Sequence, residues 1–206
     1  MSDQVLTRPL EETLPHHAHG SRAFGWWGMV WLIVTEATLF AMLIASYYYL
    51  RFRSPSEWPP GDIEPLQLEL PIIMSVLLLS SSIPVHFAES GIKKGNQRAL
   101  RIGLACGWLL GATFLALTWV VEWPEILHEF GPTTNVFGTM FFTITGFHGS
   151  HVLVGLLLSA WIQVRAWHGA YVPNRHLSVQ NFAMYWHFVD VVWIAVFLTL
   201  YVSPHL

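Results

Sequence analysis

Five long apolar runs dominate the chain, at residues 24–50, 69–92, 99–121, 135–165 and 177–203, with short polar or Pro- and Gly-bearing connections between them. Each is longer than the roughly 20 residues a helix needs to cross about 30 Å of hydrocarbon. None alternates apolar and polar positions as the strands of an outer-membrane barrel do. Backbone N–H and C=O groups in lipid must bond within their own segment, so the runs are predicted to be helices. The pattern therefore predicts an all-α integral membrane protein, a bundle of five transmembrane helices over residues 24–206. Residues 1–23 are polar, with Glu11, Glu12 and the histidines His16, His17 and His19. Lacking a basic start, a short apolar core and a small-residue cleavage site, they read as a solvated cytoplasmic tail rather than a signal peptide. Pro55, Pro59, Pro60, Gly61 and Pro65 mark residues 51–68 as a rigid, non-helical connection on the outer side. No internal repeat or second domain interrupts the bundle.

Composition sharpens this picture. Of 206 residues, 53% are hydrophobic and 11% charged, with a mean hydropathy of +0.46. Soluble domains carry about 25% charged residues, so both a water-soluble domain and a disordered chain are excluded. A net charge of −3 argues against nucleic acid as a partner. The single cysteine, Cys106, excludes an intrachain disulfide and a Cys-rich metal site. The basic residues set the orientation. Arg8, Arg22, Lys93, Lys94, Arg98, Arg101, Arg165 and Arg175 fall on one side, and only Arg51 and Arg53 on the other. This predicts a cytoplasmic N-terminus and an outer C-terminus. Gly103, Gly107 and Gly111 recur every fourth residue, and Gly155 and Ser159 repeat the step, a spacing that lets helices approach closely. Trp26, Trp27, Trp123, Trp167, Tyr171 and Tyr201 lie near segment ends, where amphipathic rings favour the membrane interface.

The candidate chemistry lies in the few polar groups within the runs. Two of the acidic residues, Glu36 and Asp190, fall near the middle of a span. An ionisable group at that depth costs several kcal/mol, on the order of 3, so it is paired, neutral or functional. His187 is one turn from Asp190 and within reach of it. His148 and His151, three residues apart, share one helix face, and His86 lies within the second run. Three readings stand for these histidines. They could ligate a metal with help from His187 or Glu36. Histidines on two helices, His86 and His187 included, could hold a b-type haem in a free-standing membrane enzyme. Or they could bond neighbouring helices and lipid headgroups. His148 and His151 are too close on one helix to serve two haems. No P-loop, Rossmann glycine pattern, nucleophile elbow or His-Glu-x-x-His motif is present, so no self-sufficient catalytic centre is visible.

Four blocks of this sequence resemble subunit III of the haem-copper terminal oxidases, over about residues 24–206. They are Leu32-Ile-Val-Thr-Glu36-Ala-Thr-Leu-Phe40; Trp58-Pro-Pro-Gly61 with Leu68-Glu-Leu-Pro71 and Ser75-Val-Leu-Leu-Leu-Ser80; Val136 to Phe142 with Thr145-Gly-Phe-His148-Gly-Ser-His151-Val152; and Tyr185-Trp-His-Phe-Val-Asp190-Val-Val-Trp193. The resemblance implies a chain that binds no haem or copper itself and packs against subunit I, where those groups reduce oxygen to water. It also implies bound phospholipid, support of proton uptake, and protection of the complex during turnover. Glu36 matches the family's carbodiimide-reactive intramembrane carboxyl. His148, His151, Trp186, His187 and Asp190 match motif positions assigned to interhelical and lipid contacts, and no residue matches a catalytic one. Many members have seven helices, with lipid in a cleft between the first two and the other five. This chain resembles the bacterial five-helix short forms of the inner membrane. The resemblance extends to accessory subunits of nitric oxide reductases, and cytochrome c and quinol both remain open as electron donors.

Overall fold

A computed structural model describes residues 24–54, 58–60 and 66–205. The polar tail over 1–23 and the turn residues Pro55, Gly61 and Pro65 lie outside the described residues. Helix α1 spans Phe24–Arg53, α2 Glu69–Lys93 and α3 Gln97–Ala116. The third span then runs on through a π-helical stretch, Leu117–Glu122, into α4, Trp123–Glu129. Helix α5 spans Val136–Trp167, and α6 Leu177–Phe197 continues through a second π turn, Leu198–Val202, into a short 3-10 turn, Ser203–His205. Five of these continuous spans are long and apolar enough to cross a membrane. Among the described residues there is no strand, only an isolated bridge between Val172 and Arg175.

Local chemistry explains where the helices start and stop. Asn96 and Asn135 cap α3 and α5, each side-chain oxygen accepting a backbone N–H three residues on. Gly95 and Gly169 follow the last turns of α2 and α5 with positive φ values of 77° and 70°. Only glycine takes that conformation without strain, and it lets the following amides close back on the helix. The chain reverses there within a few residues, so the α2–α3 and α5–α6 turns share one side. The connection after the first span is shorter than the sequence predicts, because α1 stays helical to Arg53. The third span is longer, since Pro124 falls in the first turn of α4, where its missing N–H is harmless.

Packing is graded across the bundle. Only 6% of the most apolar stretch of α1 is buried, against 56% of the last span. Helix α1 is apolar all round and buries only Phe40 and Tyr47, so it lies at the edge, whereas α6 is the hub. Small residues bring the others together. A Cβ on Gly103 would stand 2.4 Å from the Pro84 carbonyl oxygen of α2, a contact no side chain could make. At the centre, the Trp186 indole is slotted between Gly111 of α3 and Gly155 of α5, where added Cβ atoms would lie 2.7 and 2.6 Å from the ring. Its Nε1–H donates to Ser81 Oγ of α2 at 2.8 Å. One side chain thus ties four spans. Trp27 and Trp167 are largely exposed, as interface rings should be, but Tyr171 and Tyr201 are buried at 4% and 0% exposure. Those two present their rings to neighbouring helices rather than to the surface.

Candidate functional site

Among the described residues, three groups of polar side chains that include a carboxyl stand out within the spans. In the first, α1 places Glu36 against His151 of α5, with Oε2 3.1 Å from Nε2. The other ring nitrogen of His151 donates to the Phe147 carbonyl at 2.7 Å. With Nδ1–H committed to that carbonyl, Nε2 is the ring nitrogen that faces the carboxyl. Phe40 packs edge-on against the His151 ring, with centroids 5.1 Å apart. The pair opens on a recess of about 210 Å³ lined by Leu32, Glu36, Ser150, His151, Val154 and Tyr185. Tyr185 closes it from α6, its hydroxyl donating to the His151 carbonyl at 2.9 Å.

His148 shares the α5 face with His151 but turns inward. It is buried, its Nε2 lies 3.3 Å from the Val189 carbonyl oxygen of α6, and it packs against Phe114 and Trp193. The two histidines therefore serve different helices and do not converge on a common point. Among the described residues, no three His, Cys, Asp or Glu side chains gather into a group that could hold a metal ion.

The second group joins α2 to α6. Its centre is Ser82, whose hydroxyl donates to Asp190 Oδ2 and lies 3.0 Å from His187 Nδ1. His187 and Asp190 are thus linked through a serine rather than paired directly as their spacing suggests. A hydrolase triad places the imidazole between serine and carboxylate so that it can take the serine proton. Here the serine is in the middle, donating to the carboxylate with the imidazole on its other side, so the three side chains tie α2 to α6 rather than forming a nucleophile. One turn on, Trp193 Nε1–H donates to Ser75 Oγ at 2.9 Å, so α2 and α6 are stitched along their length.

The third group is one the sequence reading missed. Glu122 is 3% exposed and accepts a hydrogen bond of 2.6 Å from the Tyr201 hydroxyl. It borders a cavity of about 270 Å³ between the start of α2 and the end of the third span, near Glu69, Glu125 and Glu129. The apolar run ends just before it, and Trp123-Pro124 follows, so in sequence Glu122 looks like a boundary residue. The π-helical stretch ends on Glu122, and π turns of this kind are common at functional positions. The only sequence signal was a lone acid between two valines and a tryptophan.

A family model described as Cytochrome c oxidase subunit III matches residues 11–204. Among curated proteins, the chain is 36% identical to cytochrome c oxidase subunit 3 of Synechocystis sp., over 90% of this chain and 78% of that one. It is 36% identical to the same subunit of Thermostichus vulcanus, over 90% of both chains. The chain belongs to the cytochrome c oxidase subunit III family. The rabbit subunit 3, from Oryctolagus cuniculus, is more distant at 33% identity, and this chain covers 68% of its length. All three polar groups lie inside the region matched to subunit III, and so does the glycine slot around Trp186.

Proposed function

We propose that this subunit III works as a non-catalytic part of a proton-translocating haem-copper terminal oxidase in a bacterial plasma membrane. In this reading it packs on subunit I, which carries the haem and copper, and binds none of its own. It holds phospholipid and supports proton uptake and turnover stability while the complex reduces oxygen to water. The N-terminus faces the cytoplasm and the C-terminus the outside, as the excess of basic residues on one side favours. The names of the relatives favour cytochrome c as the electron donor of the whole complex.

The observation that carries this reading is the Glu36–His151 pair, which joins the most exposed helix to α5 beside a recess with apolar walls. Polar groups at membrane depth are expensive in lipid, so a partner surface or lipid headgroup that uses this pair is the economical explanation. His148, Trp186, His187 and Asp190 then hold the inner helices in register behind that surface. Replacing Glu36 with Gln or Ala in the assembled complex tests it. Faster inactivation during turnover and slower proton uptake are expected, and unchanged values would leave Glu36 a packing residue. The chain should be recovered from solubilised membranes with a large haem-bearing partner and be colourless when separated from it. A Soret band or stoichiometric metal on the separated chain would overturn the reading.

A further inference from the structure

The face of α2 that meets His187 and Asp190 does not stop being polar at Ser82. Ser82, His86, Glu89 with Ser90, and Lys93 recur at steps of three or four residues, which stacks them on one stripe of the helix. The stripe climbs about 16 Å from the Lys93 end to Ser82, at 1.5 Å per residue. At its end by the α2–α3 turn, Lys93 Nζ donates to Glu89 Oε1 at 2.6 Å. Above that pair His86 lies 3.5 Å from Ser90 Oγ. From α6, His187 meets this stripe at Ser82, one turn of α2 from His86. Ser82 then joins His187 Nδ1 to Asp190 Oδ2. Asp190 is 6% exposed and its Oδ1 has no hydrogen-bond partner among the described residues.

We propose that the α2–α6 stripe from Lys93 to Asp190 is a proton-exchange relay, which joins the water at the α2–α3 turn to a carboxyl stored at mid-depth in the bundle. The hydrogen bond from Ser82 already ties Asp190 to α2 as a packing contact. The two imidazoles and Glu89 are not needed for that, and His86 is exposed on the helix surface. Successive turns of titratable groups at membrane depth carry an energetic cost, and proton-carrying groups at successive turns are what transfer along a helix requires. The step balances. A proton taken up on His187 Nε2 makes the ring an imidazolium. The Nδ1 proton then passes to Ser82 Oγ as the serine proton moves to Asp190 Oδ2. This leaves a neutral imidazole, an intact hydroxyl and a carboxylic acid, and the reverse step returns the proton. Loading and unloading both use the Lys93 side.

The relay rests on the membrane-spanning fold and not on any contact with subunit I. Its test is infrared spectroscopy of the assembled complex after a jump from H₂O to D₂O. The difference between the natural protein and Asp190→Asn isolates the Asp190 carboxyl. The expected result is a protonated carboxyl band that shifts on deuteration, and that exchanges at least about tenfold more slowly in His187→Gln and in His86→Leu. The Glu36 band, isolated in the same way with Glu36→Gln, should keep its rate in both histidine variants. Equal Asp190 exchange in His86→Leu and the natural protein overturns the relay, and so does the absence of a protonated band that Asp190→Asn removes. His86 is on the exposed face, so its variant decides the matter even where His187→Gln fails to assemble. Recovery of subunit I and oxygen turnover, measured on the same samples, report separately on the subunit reading.

Discussion

Trp186 shows how much a single residue can be asked to hold. Its ring fills a slot that exists only because positions 111 and 155 have no side chain, and its N–H satisfies Ser81 on a third helix. Trp186→Ala should leave a cavity there and destabilise the bundle by about 3–5 kcal/mol. Trp186→Phe keeps most of the fill and loses one hydrogen bond, about 1 kcal/mol. Unfolding of the purified complex in graded denaturing detergent checks both, and equal effects would refute the slot. Tyr201 and Glu122 make a second residue-scale test. Tyr201→Phe strands a buried carboxyl oxygen and should cost about 1–3 kcal/mol. Removing both partners, as Tyr201→Phe with Glu122→Leu, should recover much of that loss; a double-mutant cycle with no coupling would show the contact to be incidental.

Among the elements, α1 and the α2–α3 pair are opposite cases. Two glycines separate them cleanly. A Cβ on Gly28 of α1 meets nothing within 4 Å, whereas one on Gly103 runs into the backbone of α2. Gly28→Ala should be close to neutral, and Gly103→Ala should cost about 1–3 kcal/mol by forcing the helices apart. The same detergent titration measures the pair. Helix α1 should also open first: with few buried residues, its amides should exchange with deuterium before those of α6. This contrast was partly legible in the sequence. The glycine step on α3 announced a close partner, and the length of each apolar run announced a span. That α1 would stay at the edge was not legible, because a lipid-facing helix and a central membrane helix are both apolar all round. Nor was the role of Ser82, since a serine 105 residues from His187 carries no signal until the helices are side by side.

For the whole molecule, the alternation of spans puts the α2–α3 and α5–α6 turns on one face and the Gly131–Thr134 turn on the other. With Cys106 replaced by Ser, a cysteine at Asn96 or His168 should react with an impermeant maleimide only from the cytoplasmic side, and one at Thr133 only from outside. Labelling in the opposite sense would invert the orientation and send the proposed relay to the other compartment. Glu122 is the clearest case of information that only the assembled molecule holds. Its burial depends on a π turn and on a tyrosine from the far end of the chain, and neither leaves a local trace. The slot around Trp186 carries one more implication, for biogenesis. Its walls belong to the second, third and fourth spans, but the ring that fills it arrives with the fifth. During translation the earlier helices must wait in the bilayer with an open seam, and the bundle locks only when its final span is released.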